Sequence, residues 1–485
     1  MFAAIAFAYA GARFWQLSDY GLYGDETFTL FVARSDWHSL IQQVIADVVH
    51  PPLFYILLKT WILIGGDSVL WLKLFPFATS VAAIAPYFLL CRELRMKPAA
   101  INLALALMAT NAFLFYHAQE LRMYDLLLFL SLVSLWLFVK SFNDEANSVI
   151  TQLLLFAVNL LLVYTHYYGW GVVAVELLLI LLIKPEKRLW FSMAMLLLVA
   201  CFLPWAYLVS QAALRKGGLE PNLGWNTPPN ANKFLWYYAT VSGAMEGRLQ
   251  ALSHFYVLLV QVCAVAAFLF WIPIIQWARR IIKNRRLNEF NLLCFLLAVA
   301  FLPAIAAFAI SFVMSQSVWS NRYLIGCAPA FMIMEAIAIT SIKRNGLRKI
   351  IIGYLVAFAA ISGSVQMYYT DRVAIEPLVN RLVQTHRARQ GMTKIFTSHG
   401  NIANSLRFYL EEAKEKRFDV QYVDSYEQVD EDFFYIAFMK YLPEEQTKIE
   451  NEIVPRGFTL GEPLKSKGPT YEVVLIPVTR ALKSV

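Results

Sequence analysis

Charged residues are scarce in this 485-residue chain. Asp, Glu, Lys and Arg together make up 16% of it, against about 25% in soluble domains, whereas hydrophobic residues make up 59%. This composition excludes an ordinary soluble enzyme, and it excludes disordered and collagen-like chains as well. Long uncharged apolar runs indicate a polytopic membrane protein instead.

Cysteine is also scarce, which excludes a disulfide scaffold. The five cysteines all lie in or beside apolar runs: Cys91, Cys201, Cys263, Cys294 and Cys327. We therefore expect small packing residues and no disulfide.

The excess of positive charge does not indicate nucleic-acid binding. The net charge is +8, and residues 1–370 carry 26 Lys and Arg against 17 Asp and Glu, whereas 371–485 carry 16 against 17. The excess belongs to the apolar part, where the orientation of a membrane protein requires it.

The apolar runs predict eleven transmembrane helices, at residues 1–15, 74–90, 98–116, 123–139, 149–165, 170–183, 189–209, 251–277, 290–315, 323–342 and 350–369. The remaining 371–485 mixes short β-like runs with helical stretches, which is typical of a small α/β domain. We expect strands at 394–397, 418–423, 433–438 and 471–477, with helices at 404–415 and 443–453. The predicted fold class is therefore an all-α membrane domain, residues 1–370, followed by a soluble α/β domain, residues 371–485.

Basic residues predict the orientation. One set of loops (91–97, 140–148, 184–188, 278–289 and 343–349) holds 16 Lys and Arg in 40 residues, whereas the other set (13–73, 117–122, 166–169, 210–250 and 316–322) holds 10 in 119. The first set should face the cytoplasm. We thus expect a protein of the inner (plasma) membrane with a cytoplasmic N-terminus and an extracytoplasmic C-terminal domain.

The first external loop, residues 16–73, begins with two adjacent carboxylates, Asp25 and Glu26. An amphipathic stretch follows from Phe28 to Val49, then His50 with two prolines that must end the helix, then a short apolar stretch at 53–65. Both stretches are typical of helices that lie in the membrane interface. Adjacent carboxylates in a low dielectric suit a general base or a metal ligand, and the alternative is that Asp25 caps a helix beginning near Thr27.

Further polar residues gather at the same predicted membrane boundary. His117, Gln119, Glu120 and Arg122 lie between the third and fourth spans, and Tyr124 and Asp125 open the fourth. Ionisable residues in a membrane are candidates for function because their burial is costly, although an ion pair of Arg122 with Glu120 or Asp125 would equally lock the loop.

His166 ends the fifth span, and Arg322 with Tyr323 opens the tenth. Arg122 and Arg322 oppose the positive-inside gradient, so we expect an anion beside them, either a phosphate or an anionic lipid headgroup. Lys59 and Lys73 offer similar charges or simply snorkel to the interface. Glu176 and Glu335 lie within spans and mark either an ion path or packing against a polar side chain such as Asn159.

Three stretches resemble motifs of the GT-C superfamily of polytopic glycosyltransferases, in its dolichyl-phosphate-mannose/ArnT-like branch (glycosyltransferase family 39-like). Leu22–Phe28 (LYGDETF), with His50–Tyr55 (HPPLFY) after it, resembles the acidic motif that follows the first helix. Gln119–Tyr124 (QELRMY) resembles a Q-E-x-R-M-Y motif, and Asn321–Leu324 (NRYL) resembles an R-Y-L motif that opens a late helix. The resemblance covers about residues 15–370.

The resemblance implies transfer of a sugar from a polyprenyl-phosphate donor to an acceptor on the outer face, usually with inversion. Asp25 would be the base that activates the acceptor hydroxyl, and Glu26 would support it. Arg322 would hold the donor phosphate, in a polar cavity completed by Tyr323, Glu120, Arg122, Tyr124, Asp125, His50 and His166. No metal site is expected, although Asp25, Glu26 and His50 leave a divalent metal open. The acceptor would be a glycolipid such as lipid A, a polysaccharide or a protein.

Two other classes of function remain open. A flippase or transporter of lipid-linked glycans should carry charge along many spans, yet 98–116, 189–209, 251–277 and 290–315 contain none. An assembly subunit of an envelope polysaccharide complex would use the external carboxylates only as helix caps. Both alternatives predict that Asp25→Asn changes little, whereas an enzyme would lose its activity.

Overall fold

A computed structural model describes residues 1–18, 21–143, 148–215, 228–244, 271–314, 317–368, 375–386, 391–439, 443–467 and 472–481. The chain divides into two compact units. The first, here the membrane unit, comprises Met1–Trp15, Val32–Glu246 and Leu258–Met367; the second, here the C-terminal unit, comprises Gln16–Phe31, Gly247–Val257 and Tyr368–Val485. The segment that carries Asp25 and Glu26 therefore groups with the C-terminal residues.

The membrane unit is built from helices. In chain order they are Phe2–Phe14, Trp37–Asp47, Leu53–Gly65, Val69–Ala82, Ile84–Glu93, Pro98–Thr110, Ala112–Ala118, Tyr124–Asn143, Val149–Thr165, Gly169–Ile183, Arg188–Arg215, Ala231–Val241, Trp271–Lys283, Leu287–Val313, Ala328–Thr340 and Asn345–Tyr368, with 3-10 turns at Pro185–Lys187 and Asn321–Cys327. The Asp25–Arg34 helix begins in the C-terminal unit and ends in the membrane unit.

Within the described part of the chain, six helices are long and apolar enough to cross a membrane, or seven if a bent pair counts as one span. Shorter apolar helices at Phe2–Phe14, Val149–Thr165 and Gly169–Ile183 coincide with three more predicted spans. Most of the predicted span 251–277 lies outside the described residues. The chain is therefore a polytopic helical membrane protein, and the number eleven stays a prediction.

The predicted span 98–116 is not one continuous helix. Pro98–Thr110 and Ala112–Ala118 meet at an angle of 61°. Asn111 lies at the break in an extended conformation, and its side chain accepts a hydrogen bond from the backbone N–H of Leu114 at 3.1 Å while donating to the carbonyls of Thr240 and Val241. An asparagine that caps a new helix turns the chain here, which hydropathy alone does not reveal.

The amphipathic stretch from Phe28 to Val49 is also divided. Its helices, Asp25–Arg34 and Trp37–Asp47, are separated by Ser35 and Asp36. The Asp36 carboxylate accepts hydrogen bonds from the N–H groups of His38 and Ser39, both at 3.0 Å, and so caps the second helix. As predicted, the helix ends before His50-Pro51-Pro52, and a new helix begins at Leu53.

Two helices at the centre of the membrane unit position the candidate site. Among the described candidate spans, Tyr124–Asn143 and Asn321–Thr340 are the most deeply buried, and the latter consists of a 3-10 turn followed by the helix Ala328–Thr340. The 3-10 turn Asn321–Cys327 packs on Tyr124–Asn143, and a Cβ atom at Gly326 would lie 2.4 Å from Oγ of Ser131. Because Gly326 has no Cβ atom, the turn Asn321–Cys327 can approach the helix Tyr124–Asn143 closely.

The C-terminal unit contains a six-stranded mixed sheet. Its strands are β1 (Thr393–Thr397), β2 (Phe418–Tyr422), β3 (Phe433–Met439), β4 (Phe458–Leu460), β5 (Leu464–Lys467) and β6 (Glu472–Arg480). β1 lies between β2 and β3, both parallel to it, whereas β6 is antiparallel to β3, β4 and β5. Helices Ile375–Thr385, Gly400–Glu412 and Pro443–Ile453 accompany the sheet, with 3-10 turns at Tyr426–Gln428 and Val454–Arg456.

The predicted small α/β domain is confirmed. All four predicted strands and both predicted helices are present, with ends that differ by a few residues. The sequence analysis did not predict Ile375–Thr385, β4 or β5. β4 and β5 are only three and four residues long, too short to show a clear alternation of apolar residues.

Candidate active site

Eight of the ten predicted site residues lie in the membrane unit, and each stands at or near the end of a helix. Glu120 and Arg122 occupy the turn between Ala112–Ala118 and Tyr124–Asn143, and Tyr124 and Asp125 open the latter helix. His50 precedes Leu53–Gly65, His166 follows Val149–Thr165, and Arg322 and Tyr323 lie in the 3-10 turn. Side chains from four separate stretches of sequence are thereby available to one site.

The rings of these residues form a contiguous cluster. The His166 ring lies 4.7 Å from that of Tyr323 and 5.3 Å from that of His50, measured between centroids. Tyr124 lies 6.4 Å from Tyr323, and Cζ of Arg322 lies 5.6 Å from the centroid of each of these two tyrosine rings. The guanidinium group is thus held beside aromatic faces, where a cation is favourable.

Glu120 is buried among positively charged and imidazole groups. Its Oε2 lies 2.7 Å from Nδ1 of His117. Burial raises the pKa of Glu120, but the hydrogen bond and charge of His117 and the charges of Arg322 and Arg122 together lower it to about 2. Glu120 is therefore a carboxylate at physiological pH, and one negative charge faces two guanidinium groups.

His166 is a neutral imidazole with a defined tautomer. Burial, followed by the charges of His50, Arg122 and Arg322, lowers the pKa of His166 well below its usual value of 6.5. Its Nδ1 accepts a hydrogen bond from the backbone N–H of Tyr168 at 3.1 Å, so Nε2 carries the proton.

Two buried hydrogen-bond donors of the cluster have no partner among the described residues. They are Nε2 of His166 and the hydroxyl of Tyr124. Both side chains are almost completely buried. Leaving such donors unsatisfied is costly, so a ligand that supplies acceptors would bind here favourably.

Asp125 lies near Arg13, which was not among the predicted site residues. Asp125 is fully buried and interacts electrostatically with Arg13, which is also fully buried and donates hydrogen bonds to the carbonyls of Tyr9, Met108 and Ala109. The sequence contains a signal for Arg13, since it is a further arginine in the loop set where basic residues are few.

Asp25 and Glu26 lie in the C-terminal unit. Gly24 has a φ of +57°, and the helix begins at Asp25, two residues earlier than the capping alternative assumed. Asp25 is thus the first helical residue and does not precede the helix as a cap would. The Glu26 carboxylate accepts a hydrogen bond from the N–H of Tyr23 at 3.2 Å, which fixes the carboxylate against the start of the helix.

Two of the other residues singled out in the sequence, Lys59 and Glu176, have structural partners. The Lys59 ammonium donates to the carbonyls of Ala33 and Ser35. Glu176 contacts Nδ2 of Asn159 at 2.7 Å and Oγ of Ser134 at 2.6 Å, which agrees with packing against a polar side chain. Among the described residues, no group of three or more His, Cys, Asp or Glu is arranged to hold a metal ion.

The comparisons with known proteins identify the fold. No protein-family model matches the chain, and no curated protein sequence does. ArnT from Cupriavidus metallidurans in its apo state superposes with a TM-score of 0.55 at 14% identity, over 98% of this chain and 97% of ArnT. The same enzyme bound to undecaprenyl phosphate gives a TM-score of 0.50 at 14% identity, over 98% and 97%. The chain has the GT-C fold that its three motifs predicted.

Proposed function

We propose that the protein is a glycosyltransferase that moves a sugar from a polyprenyl-phosphate donor to an acceptor hydroxyl at the outer face of the membrane. The observation that carries this proposal is the group of unmatched donors in the membrane unit. Nε2 of His166 and the Tyr124 hydroxyl have no acceptor among the described residues, and the Arg322 guanidinium lies 5.6 Å from the Tyr124 ring centroid. These groups suit the phosphate of a lipid-linked sugar.

The guanidinium groups of the site support an anionic ligand. The charges of Arg122 and Arg322 both act on the buried Glu120 carboxylate. The planar guanidinium fork matches phosphate oxygens. ArnT, whose fold is similar, has been crystallised with undecaprenyl phosphate.

The mechanism that follows is a displacement at the anomeric carbon. Asp25 accepts the proton of the acceptor hydroxyl as its oxygen attacks, and the bond from the anomeric carbon to the phosphate oxygen breaks. Arg322 stabilises the charge that develops on the departing polyprenyl phosphate, which needs charge stabilisation more than protonation. Attack opposite to the leaving group inverts the configuration of the sugar.

A transfer assay with the purified protein tests this proposal. Wild type and Asp25→Asn are incubated in lipid with radiolabelled polyprenyl-phosphate sugars and total envelope extract. We expect label transfer by the wild type and a loss of about 100-fold or more in the variant, since general bases contribute roughly 10²–10⁴-fold. Equal binding of the donor by both proteins is the control.

The extract fraction that takes up label would identify the acceptor as glycolipid, polysaccharide or protein. Donor binding without transfer by the wild type would contradict the proposal. A flippase of lipid-linked glycans would then be tested by translocation of the same labelled donor in vesicles.

A further inference from the structure

The backbone just before Asp25 accepts and donates hydrogen bonds with one helix of the C-terminal unit, Gly400–Glu412. The N–H of Gly24 donates a hydrogen bond to Oγ of Ser405 at 3.0 Å, and the hydroxyl of Tyr409 donates to the carbonyl of Leu22 at 3.0 Å. Ser405 and Tyr409 lie one turn apart on Gly400–Glu412 and so present to the same side of that helix. Both bonds reach the backbone within three residues of Asp25.

These contacts hold the turn at which the Asp25–Arg34 helix begins. Gly24 has a φ of +57°, so the chain reverses direction there, and its carbonyl accepts a hydrogen bond from the Thr27 hydroxyl at 2.8 Å. The Thr27 and Ser405 hydroxyls are 3.4 Å apart. The peptide groups on both sides of Gly24 are therefore fixed, and with them the position from which the Asp25 side chain departs.

The contact between the Gly21–Thr27 segment and the helix Gly400–Glu412 is close and buried. Leu22, Thr27 and Ser405 are fully buried. A Cβ atom on Gly21 would lie 1.7 Å from Oη of Tyr409, so a glycine there is what allows the tyrosine to reach the Leu22 carbonyl. The Ser405 hydroxyl donates to the Asn401 carbonyl at 2.8 Å, which directs its lone pairs toward the Gly24 N–H.

We propose that Ser405 and Tyr409 are positioning residues that set the location of Asp25 for glycosyl transfer without themselves touching the reacting atoms. This inference rests on the proposed function of Asp25 as the base. Displacement of a reacting group by about 1 Å costs roughly 100-fold in rate, so two hydrogen bonds that fix this backbone are of direct consequence for kcat.

The test compares Ser405→Ala and Tyr409→Phe with Tyr426→Phe as the matched control, in the full-length protein in lipid nanodiscs. The Tyr426 hydroxyl is likewise buried in the C-terminal unit but contacts Ser398 instead of the Leu22–Gly24 segment. Hydrogen–deuterium exchange of the peptide covering residues 22–28 is measured together with kcat and the KM for the polyprenyl-phosphate sugar.

We expect faster exchange of this peptide in both variants, with kcat lower by about 10- to 100-fold and the KM for the donor within about twofold of wild type. The control should match the wild type in exchange of this peptide and in kcat. Transfer by the wild type with unchanged kcat in both variants would overturn the positioning role alone. Absence of transfer by the wild type would refute the proposed function, while faster exchange in the two variants would still establish the contact.

Discussion

Nδ1 of His117 lies 2.7 Å from Oε2 of Glu120, and both side chains are buried. The two residues are three positions apart, so the contact closes the turn that leads into Tyr124–Asn143. Because the pKa of Glu120 falls from 4.5 to about 2, folding favours its ionised form. The ionised Glu120 stabilises the native state at pH values above the pKa that it has in the unfolded chain. This stabilisation is lost as pH falls from about 4.5 toward 2.

We therefore expect Glu120→Gln to destabilise the protein at neutral pH by roughly 3–5 kcal/mol, the usual cost of removing one partner from a buried charged pair. The difference from wild type should shrink as pH is lowered from about 5 toward 2. Thermal unfolding in detergent across this range measures it. The control is Glu186→Gln, since Glu186 is exposed and forms only a surface pair with Lys184, worth about 0–1 kcal/mol. A stability difference between wild type and Glu120→Gln that stays constant with pH would contradict the low pKa of Glu120.

His166 should impose a different pH dependence on stability. Its pKa in the native state lies well below 6.5, so the unfolded chain binds a proton at pH values where the folded protein does not. Stability should therefore decrease as pH falls below about 6.5, with a slope that His166→Gln removes. His38→Gln, at an exposed position, is the control substitution. The measurement is thermal unfolding between pH 7.5 and 5, and an identical slope in His166→Gln would refute the prediction.

Arg322 should determine the affinity for the lipid phosphate. Arg322→Ala removes charged hydrogen bonds worth roughly 1.5–3 kcal/mol, so we expect the Kd for undecaprenyl phosphate to rise by about 10- to 100-fold. Arg322→Lys keeps the charge but loses the planar fork, and should bind with intermediate affinity. Native mass spectrometry or thermophoresis in detergent measures the binding.

The matched control for that measurement is Arg348→Ala, because Arg348 hydrogen-bonds to Asn345 at the protein surface, in the stretch 343–349 that is predicted to face the cytoplasm. It should bind undecaprenyl phosphate as the wild type does. Equal Kd values for Arg322→Ala and wild type would remove Arg322 from the proposed phosphate site.

The predicted orientation is testable by chemical labelling. In a variant without its five native cysteines, a cysteine at exposed Lys414 should react with a membrane-impermeant maleimide in intact spheroplasts, because the C-terminal domain is predicted to lie outside. A cysteine at exposed Arg286 should react only after the membrane is permeabilised. The opposite pattern would reverse the orientation derived from the basic loops.

The sequence by itself determined the class of protein and most of its elements. Composition and apolar runs are enough for a polytopic helical protein, because a bilayer demands long uncharged helices whatever their neighbours. Four of the six C-terminal strands and two of the C-terminal helices followed from local patterns, and the predicted helix 443–453 has the bounds observed for Pro443–Ile453. The three motifs anticipated the GT-C fold. Arg322, which lies in one of them, and His166, which was selected because it ends a predicted span, both lie beside the Tyr323 ring.

Only the tertiary structure decided which distant residues meet and where helices break. Hydropathy averages over a window, so it did not register the turn at Asn111, where a single side chain links to Thr240 and Val241. Nor does any local pattern connect Gly24 with Ser405, which are 381 positions apart yet share a hydrogen bond. Long-range pairings of this kind depend on how whole elements pack, and packing is a property of the folded chain and not of any one segment.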